Sequence, residues 1–326
     1  MPDIIERIAT ETGTKIQFVN NVADLLKSGA TVPFIARYRK EQTGSLDEVQ
    51  ITAIRDLINR LEELEKRRAA VISSVEEQGL LTPELKEAFM AASSMAVLED
   101  LYLPFKPKRK TRATIAIDRG LEPLAKIIMA QRETNLFVRA QQFVNPGKEV
   151  LTPEDALAGA RDIIAEWVNE DTRARARLRR LMDKDGEINS RPVKGKEDEG
   201  EKYRTYFEWT EQARKSPSHR ILAMFRGENE GFLRVKIAPD EEKAFDILEG
   251  LFLKGEGEAP DQVRKALHDS WKRLLHPSLE TELRNNLKAT ADKTAIRVFV
   301  ENLRQLLLAP PLGQKRIMAI DPGFRT

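Results

Sequence analysis

Apolar residues recur at helical spacing along most of the chain. In 14–28, TKIQFVNNVADLLKS, Ile16, Val19, Val22, Ala23 and Leu26 fall on one face and Gly29 closes the run. Pro33 opens a second short segment, PFIARYRK. SLDE at 45–48 reads as a capping box, Ser45 accepting from the N–H of Glu48 and Glu48 reaching back, so a long helix is predicted from there to Gly79. Along it Ile54, Leu57, Leu61, Leu64, Arg68, Val71 and Val75 alternate steps of three and four. That spacing predicts a packing seam with one cation in it, on a helix of about 50 Å.

Thr82-Pro83 and Thr152-Pro153 each predict an N-cap followed by proline at the first helical position. Leu157, Ile163, Ile164 and Trp167 are core candidates of the second helix. Ser216-Pro217 favours a helix over SHRILAMFRGENEG, with a strand and turn as the alternative. FLRVKI at 232–237 alternates and predicts a strand. Helices are expected near 239–253 and 260–275, and a long one from Pro277 to Leu308. The second half of the last, AIRVFVENLRQLLL, is apolar nearly all round, which predicts burial between other elements. Residues 185–202, DGEINSRPVKGKEDEGEK, hold only Ile188 and Val193 as large aliphatics. They are read as a loop or linker and as the internal boundary.

The last ten residues, IMAIDPGFRT, join a short apolar run, Ile317–Ile320, to the turn residues Asp321, Pro322 and Gly323. A strand needs neighbours for its backbone groups, so this one is expected to be the severed first strand of a further domain. The predicted fold is mainly α, an elongated multi-helix architecture with helix-turn-helix-like elements and one or two short strands. Its expected divisions are a helical domain at 1–184, the linker at 185–202, a central helical region at 203–315 and the strand start at 316–326.

Composition narrows the chemistry. The 326 residues are 33% charged and 6% aromatic, and 54 basic against 52 acidic residues leave a net charge of +2. A near-neutral total does not advertise nucleic acid, so any phosphate binding must come from local clusters. Without cysteine there is no disulfide, zinc finger or thiol nucleophile, and a cytoplasmic protein is expected. The start lacks the apolar core of a signal peptide and no stretch approaches a membrane span. His219, His268 and His276 lie in no metal-ligand spacing, and there is no P-loop, GxGxxG or GxSxG. Neither catalysis nor a cofactor or metal is therefore expected of these residues.

Two basic clusters stand out. KPKRKTR at 106–112 holds Lys106, Lys108, Arg109, Lys110 and Arg112 with no acid, in a loop because of Pro107. In DTRARARLRRLMDK at 171–184, helical geometry puts Arg173, Arg177, Arg180 and Lys184 on one face, with Ala174, Leu178, Leu181 and Met182 facing the core. Phosphate is the natural ligand of such a ridge. The plainer reading, favoured by the balanced total charge, is a solvated helix whose arginines pair with nearby acids. Residues 14–40 could also form a helix-turn-helix presenting Arg37, Arg39 and Lys40 to a groove. Short helix pairs are common in any helical protein, which weakens that reading.

Taken together, TVPFIARYRKEQTGSLDE at 31–48, LEDLYLPFKPKRKTRATIAIDRGLEPLA at 98–125, DALAGARDIIAEW at 155–167, SPSHRILAMFRGENEG at 216–231 and AIDPGFRT at 319–326 resemble the bacterial Tex family, the transcription accessory proteins. One departure is Ile117-Asp118, where a basic-acidic pair is expected. The resemblance implies a helical N-terminal region followed by a YqgF domain of RNase H-like fold, helix-hairpin-helix elements and an OB-fold to which most nucleic-acid affinity is attributed. This chain would cover the helical region and the first YqgF strand. It implies a role in transcription and RNA metabolism, weak and non-specific contact with RNA or DNA, transcription machinery as a partner, and no membrane. The alternative reading is part of a metal-dependent YqgF-type nuclease, inactive by itself, with Asp321 matching the first acidic position. A sequence-specific regulator acting through residues 14–40 ranks behind both.

Overall fold

In the computed structural model the helical periodicity is realised almost throughout; residues 2–107, 110–309, 313, 315, 316 and 318–320 are described. The fold is mainly helical with one small three-stranded antiparallel sheet. Two compact units form, Met1–Lys108 and Arg109–Thr326.

The first unit holds α1 (Pro2–Thr12), α2 (Ile16–Lys27), α3 (Val32–Tyr38), α4 (Lys40–Thr43), α5 (Glu48–Glu77), α6 (Pro83–Ala91) and α7 (Met95–Tyr102). Helix α5 is its spine. Ile51, Ile54, Ile58 and Leu61 on its first half pack with Ile8, Val19, Val22 and Ile35. Leu64, Val71 and Val75 on its second half pack with Phe89, Leu98 and Tyr102. The cation in the predicted seam has a structural task. Arg68 is 5% exposed, and its Nε and Nη2 donate to the carbonyls of Phe89 and Ala92 at 3.0 and 2.8 Å. Those carbonyls end α6, where the helix leaves acceptors unpaired and its dipole favours a positive charge.

The start of α5 differs from the prediction. Asp47, not Ser45, is the N-cap: its carboxylate accepts from the Gln50 N–H at 2.7 Å, and Gln50 Oε1 accepts from the Asp47 N–H at 3.0 Å. Gly44 and Ser45 are both left-handed, with φ of 67° and 61°. That turn moves the cap two residues on from the expected position. A Cβ on Gly44 would lie 2.3 Å from the Phe18 ring, so only glycine lets α2 approach the turn. Thr82 caps α6 as predicted, accepting from the Leu85 N–H at 3.2 Å.

The second unit holds α8 (Arg112–Asp118), α9 (Glu122–Ala130), α10 (Leu136–Gln141), α11 (Pro153–Glu170), α12 (Thr172–Asp185), α13 (Ser218–Asn229), α14 (Glu241–Phe252), α15 (Glu258–Ser270) and α16 (His276–Leu308). Its strands are β1 (Glu187–Pro192), β2 (Trp209–Gln212) and β3 (Leu233–Ala238), in the order β2-β1-β3. One continuous core links helices and sheet, with Leu157, Ile163, Ile164 and Val168 of α11 inside it. Thr152 caps α11 as predicted, in a reciprocal pair with Asp155. The helical alternative for 218–229 is the one realised, and β3 confirms the strand read in FLRVKI.

The loop predicted over 185–202 is corrected. It contains β1, the central strand, whose Ile188 stands opposite Glu211 on one side and Ile237 on the other. A six-residue strand turns few side chains to each face. Here the two inward residues are Ile188 and Ser190, so the alternation carries almost no hydrophobic signal. Three strands thus form where one or two are expected.

A break predicted near Pro277 is also corrected. A π-turn, Trp271–Leu275, joins α15 to α16 without interruption, and the His276 N–H donates to the Trp271 carbonyl. Proline at 277 has no N–H to give and would crowd the carbonyl four residues back; the wider turn removes the clash. His276 places its Nε2 3.0 Å from the Ile237 carbonyl of β3.

The burial expected for AIRVFVENLRQLLL is not found among the described residues. Ile296, Phe299, Val300, Leu306, Leu307 and Leu308 are all more than half exposed. The core of this unit reaches along α16 only to Ala291. Of the predicted strand at 317–320, residues 318–320 form no strand, and no described strand pairs with them. Ile317 and Asp321 lie outside the described residues.

Candidate nucleic-acid interface

Helix α12 is strongly amphipathic, and its arginines divide between two tasks. Ala174, Leu178 and Met182 are buried, together with Arg175. Arg175 donates to Asn169 Oδ1 at 3.3 Å and Ser278 Oγ at 3.1 Å. Arg179 makes a two-pronged pair with Glu282 at 2.6 and 3.1 Å. These two arginines fasten the helix to α16 and to the last turn of α11. Arg177, Arg180 and Lys184 face solvent and have no ion-pair partner among the described residues. Arg173 is exposed but engaged, its Nη2 2.9 Å from Asp171. Burial would raise the Asp171 carboxyl; the hydrogen bonds from the Arg173 side chain and the Ala174 N–H outweigh it and hold the group below the usual carboxylate range. Asp171 is also the N-cap of α12, so this pair fixes the start of the ridge.

A cation from another element joins the ridge. Arg180, Lys184 and Arg214 line one groove with Asp183, Leu283 and Leu287. Arg214 sits in the 3₁₀ turn Ala213–Lys215 at the end of β2. The Ala213 N–H donates to the Gly186 carbonyl at 2.8 Å and the Gln212 amide to the Lys184 carbonyl at 2.5 Å, which presses that turn against the end of α12. Arg214 is exposed and without an ion-pair partner among the described residues. Its neighbour in sequence, Lys215, gives only a weak signal; the sheet pairing is what brings Arg214 here. Burial, and then the Glu282 carboxylate, push the Asp183 carboxyl above its usual range, with Arg179 opposing. The one acid in the groove is therefore more readily neutralised than an ordinary aspartate.

The loop cluster is only partly visible. Lys106 is exposed at the end of the first unit. In the second, Lys110 is exposed and Arg112 is the exposed first residue of α8. Lys108 and Arg109 lie outside the described residues.

The segment 33–40 is not one helix. Thr31 caps α3, which ends at Arg39 with φ −129° and ψ 25°, and α4 restarts at Lys40. Ile35 and Ala36 are buried, while Arg37, Tyr38 and Lys40 are exposed. Arg37, Arg39 and Lys40 therefore fan out from a helix break and share no single helical face. Arg37 pairs loosely with Glu48 at 3.5 Å. Two aromatics that charge counting passes over accompany them. The Phe34 and Tyr38 ring centroids are 5.3 Å apart, and the Arg39 guanidinium lies 5.1 Å from the Phe34 ring.

The three histidines stay apart in their surroundings. His268 stacks on Phe245 at 3.8 Å, His276 meets Ile237, and His219 lines a groove between α13 and α16. Among the described residues no three His, Asp or Glu side chains come together as a metal site. Among the same residues no helix is long and apolar enough to cross a membrane.

Comparison with known proteins places this geometry in context. A family model described as "Tex central region-like" matches residues 132–299, and one described as "Tex-like protein N-terminal domain" matches 2–76. The chain is 41% identical to "Transcriptional accessory protein Tex" of Neisseria gonorrhoeae, over 98% of this chain and 43% of that protein. It is 42% identical to "Protein YhgF" of Escherichia coli K12, over 98% of this chain and 43% of that protein. It is 27% identical to the human "S1 RNA-binding domain-containing protein 1", over 99% of this chain and 34% of that protein. The chain spans less than half the length of these curated relatives.

Proposed function

Because this chain belongs to the Tex family, we propose that it is the helical scaffold of a nucleic-acid-binding transcription accessory protein, working in the cytoplasm by binding and positioning rather than by catalysis. The observation that carries the reading is the group Arg177, Arg180, Lys184 and Arg214, cations that face solvent with no ion-pair partner among the described residues. Arg175 and Arg179, interleaved with them on the same helix, are spent on structure, so the unpaired cations of α12 are not a by-product of an arginine-rich helix. Cations held on rigid backbone release counterions when they meet a phosphate chain, and this gives salt-dependent affinity without sequence preference. A relative named for an S1 RNA-binding domain and another named as a transcriptional accessory protein favour RNA in transcription as the setting. Helix α5 and the unbroken helical run through α15 and α16 supply stiffness, which suits a part that holds other modules at fixed spacing.

The test is binding of labelled RNA and duplex DNA by Arg177→Glu/Arg180→Glu. The double variant is expected to bind both at least tenfold more weakly and to lower the slope of log affinity against log salt by about two. Unchanged affinity and slope would reject the ridge as an interface.

A further inference from the structure

The first unit offers chemistry that a cationic ridge lacks. Tyr38 is 67% exposed, an unusual state for a ring of its size, and its hydroxyl has no hydrogen-bond partner among the described residues. The ring is nevertheless held in place. Phe34, one helical turn earlier, lies against it, and the Arg39 guanidinium covers part of Phe34. Arg39 Nη1 donates to the Tyr38 carbonyl at 3.0 Å, and the buried Thr43 donates its Oγ1 hydrogen to the Arg39 carbonyl at 3.0 Å. The helix break is thus pinned from both sides, with Ile35 and Ala36 in the core beneath it.

Charge surrounds the ring. Arg37 and Lys40 flank it in sequence, and Lys40 has no ion-pair partner among the described residues. Glu48 faces Arg37 at 3.5 Å, with both side chains at least half exposed, and Glu41 is exposed on α4. An ion pair this open is worth little, so Arg37 can turn from Glu48 to a phosphate at small cost.

We propose that α3 and α4 form a stacking platform for single-stranded nucleic acid, a base lying on the open face of Tyr38 and the flanking phosphates on Arg37 and Lys40. The proposal rests on the nucleic-acid reading above and adds the form of the ligand. A ring face reaches a base only where that base is unstacked, which a duplex does not provide. Groove reading by a duplex-binding helix would need its contact residues along one continuous face, and α3 stops after seven residues. Interleaved aromatic and basic side chains are the pattern of sequence-tolerant strand binding.

The experiment measures fluorescence anisotropy with this chain and four probes of equal length. They are a single RNA strand, a single DNA strand, a DNA duplex and an oligomer of abasic sites that keeps the phosphates and lacks bases. Tyr38→Ala is expected to weaken both single strands about tenfold, to leave the duplex and the abasic oligomer unchanged, and to keep the salt slope. Tyr38→Phe keeps the ring and is expected to bind as the parent does. Circular dichroism of each variant controls for folding. If Tyr38→Ala binds the strands like the parent while Arg177→Glu/Arg180→Glu weakens them, the platform is wrong and the wider reading stands. If neither variant loses affinity, or the parent binds none of the probes, both fall.

Discussion

The two longest helices, α5 with 30 residues and α16 with 33, use their apolar residues in opposite ways. Helix α5 buries a residue at every third or fourth position from Ile51 to Val75. Helix α16 buries Leu279, Leu283 and Ala291 and then stops, although its last two turns are the more apolar sequence. A one-sided seam is completed by one layer of neighbours, and the short helices of the first unit provide it. Apolarity all round needs partners on several sides, and the described residues supply them only as far as Ala291. Periodicity therefore says which face is buried, whereas bulk hydrophobicity says only how much cover a segment could use.

The comparison can be broken most sharply at Arg68. Arg68→Met keeps the side-chain length, strips the Ala92 carbonyl of its guanidinium donor and leaves the Phe89 carbonyl only the 3.3 Å bond from the Ala92 N–H. A loss of about 3 kcal/mol is expected in urea unfolding of the first unit, with amides of α6 exchanging faster. An unchanged midpoint would mean that the buried guanidinium caps nothing. A smaller effect distinguishes the two possible starts of α5. Asp47→Ala should cost about 1 kcal/mol, whereas Ser45→Ala, outside the helix, should not weaken the cap. The reverse order would restore the cap expected from SLDE. Smallest of all is Phe299→Ser on the exposed part of α16, expected within about 0.5 kcal/mol of the parent chain by thermal unfolding. A loss of several kcal/mol there would show that the segment is covered after all.

Much of this was legible in the sequence because it is local. The seam of α5, the Thr-Pro caps and the two faces of α12 follow from spacing within one element. The resemblance to the Tex family was carried by several ordered stretches, and the family models match two of the regions concerned. What escaped depends on other elements. Strand β1 has one inward aliphatic, Ile188, and exists because β2 and β3 pair with it. Arg214 reaches the ridge only through that pairing. Among the predicted ridge residues, Arg173 is taken by its own cap, which charge counting cannot distinguish from a free cation. The segment around Tyr38 reads as one helix, whereas the break at Arg39, with φ −129° and ψ 25°, fans its cations apart and has no marker in the spacing.

The central claim is that solvent-facing cations on α12, unpaired while their neighbours are paired, meet phosphate. It is tested most directly by titrating labelled RNA with the parent chain and with Arg177→Glu/Arg180→Glu across a range of salt. The account predicts a steep loss of affinity with salt for the parent and a shallower one, by about two in log–log slope, for the variant. Superimposable lines would contradict it.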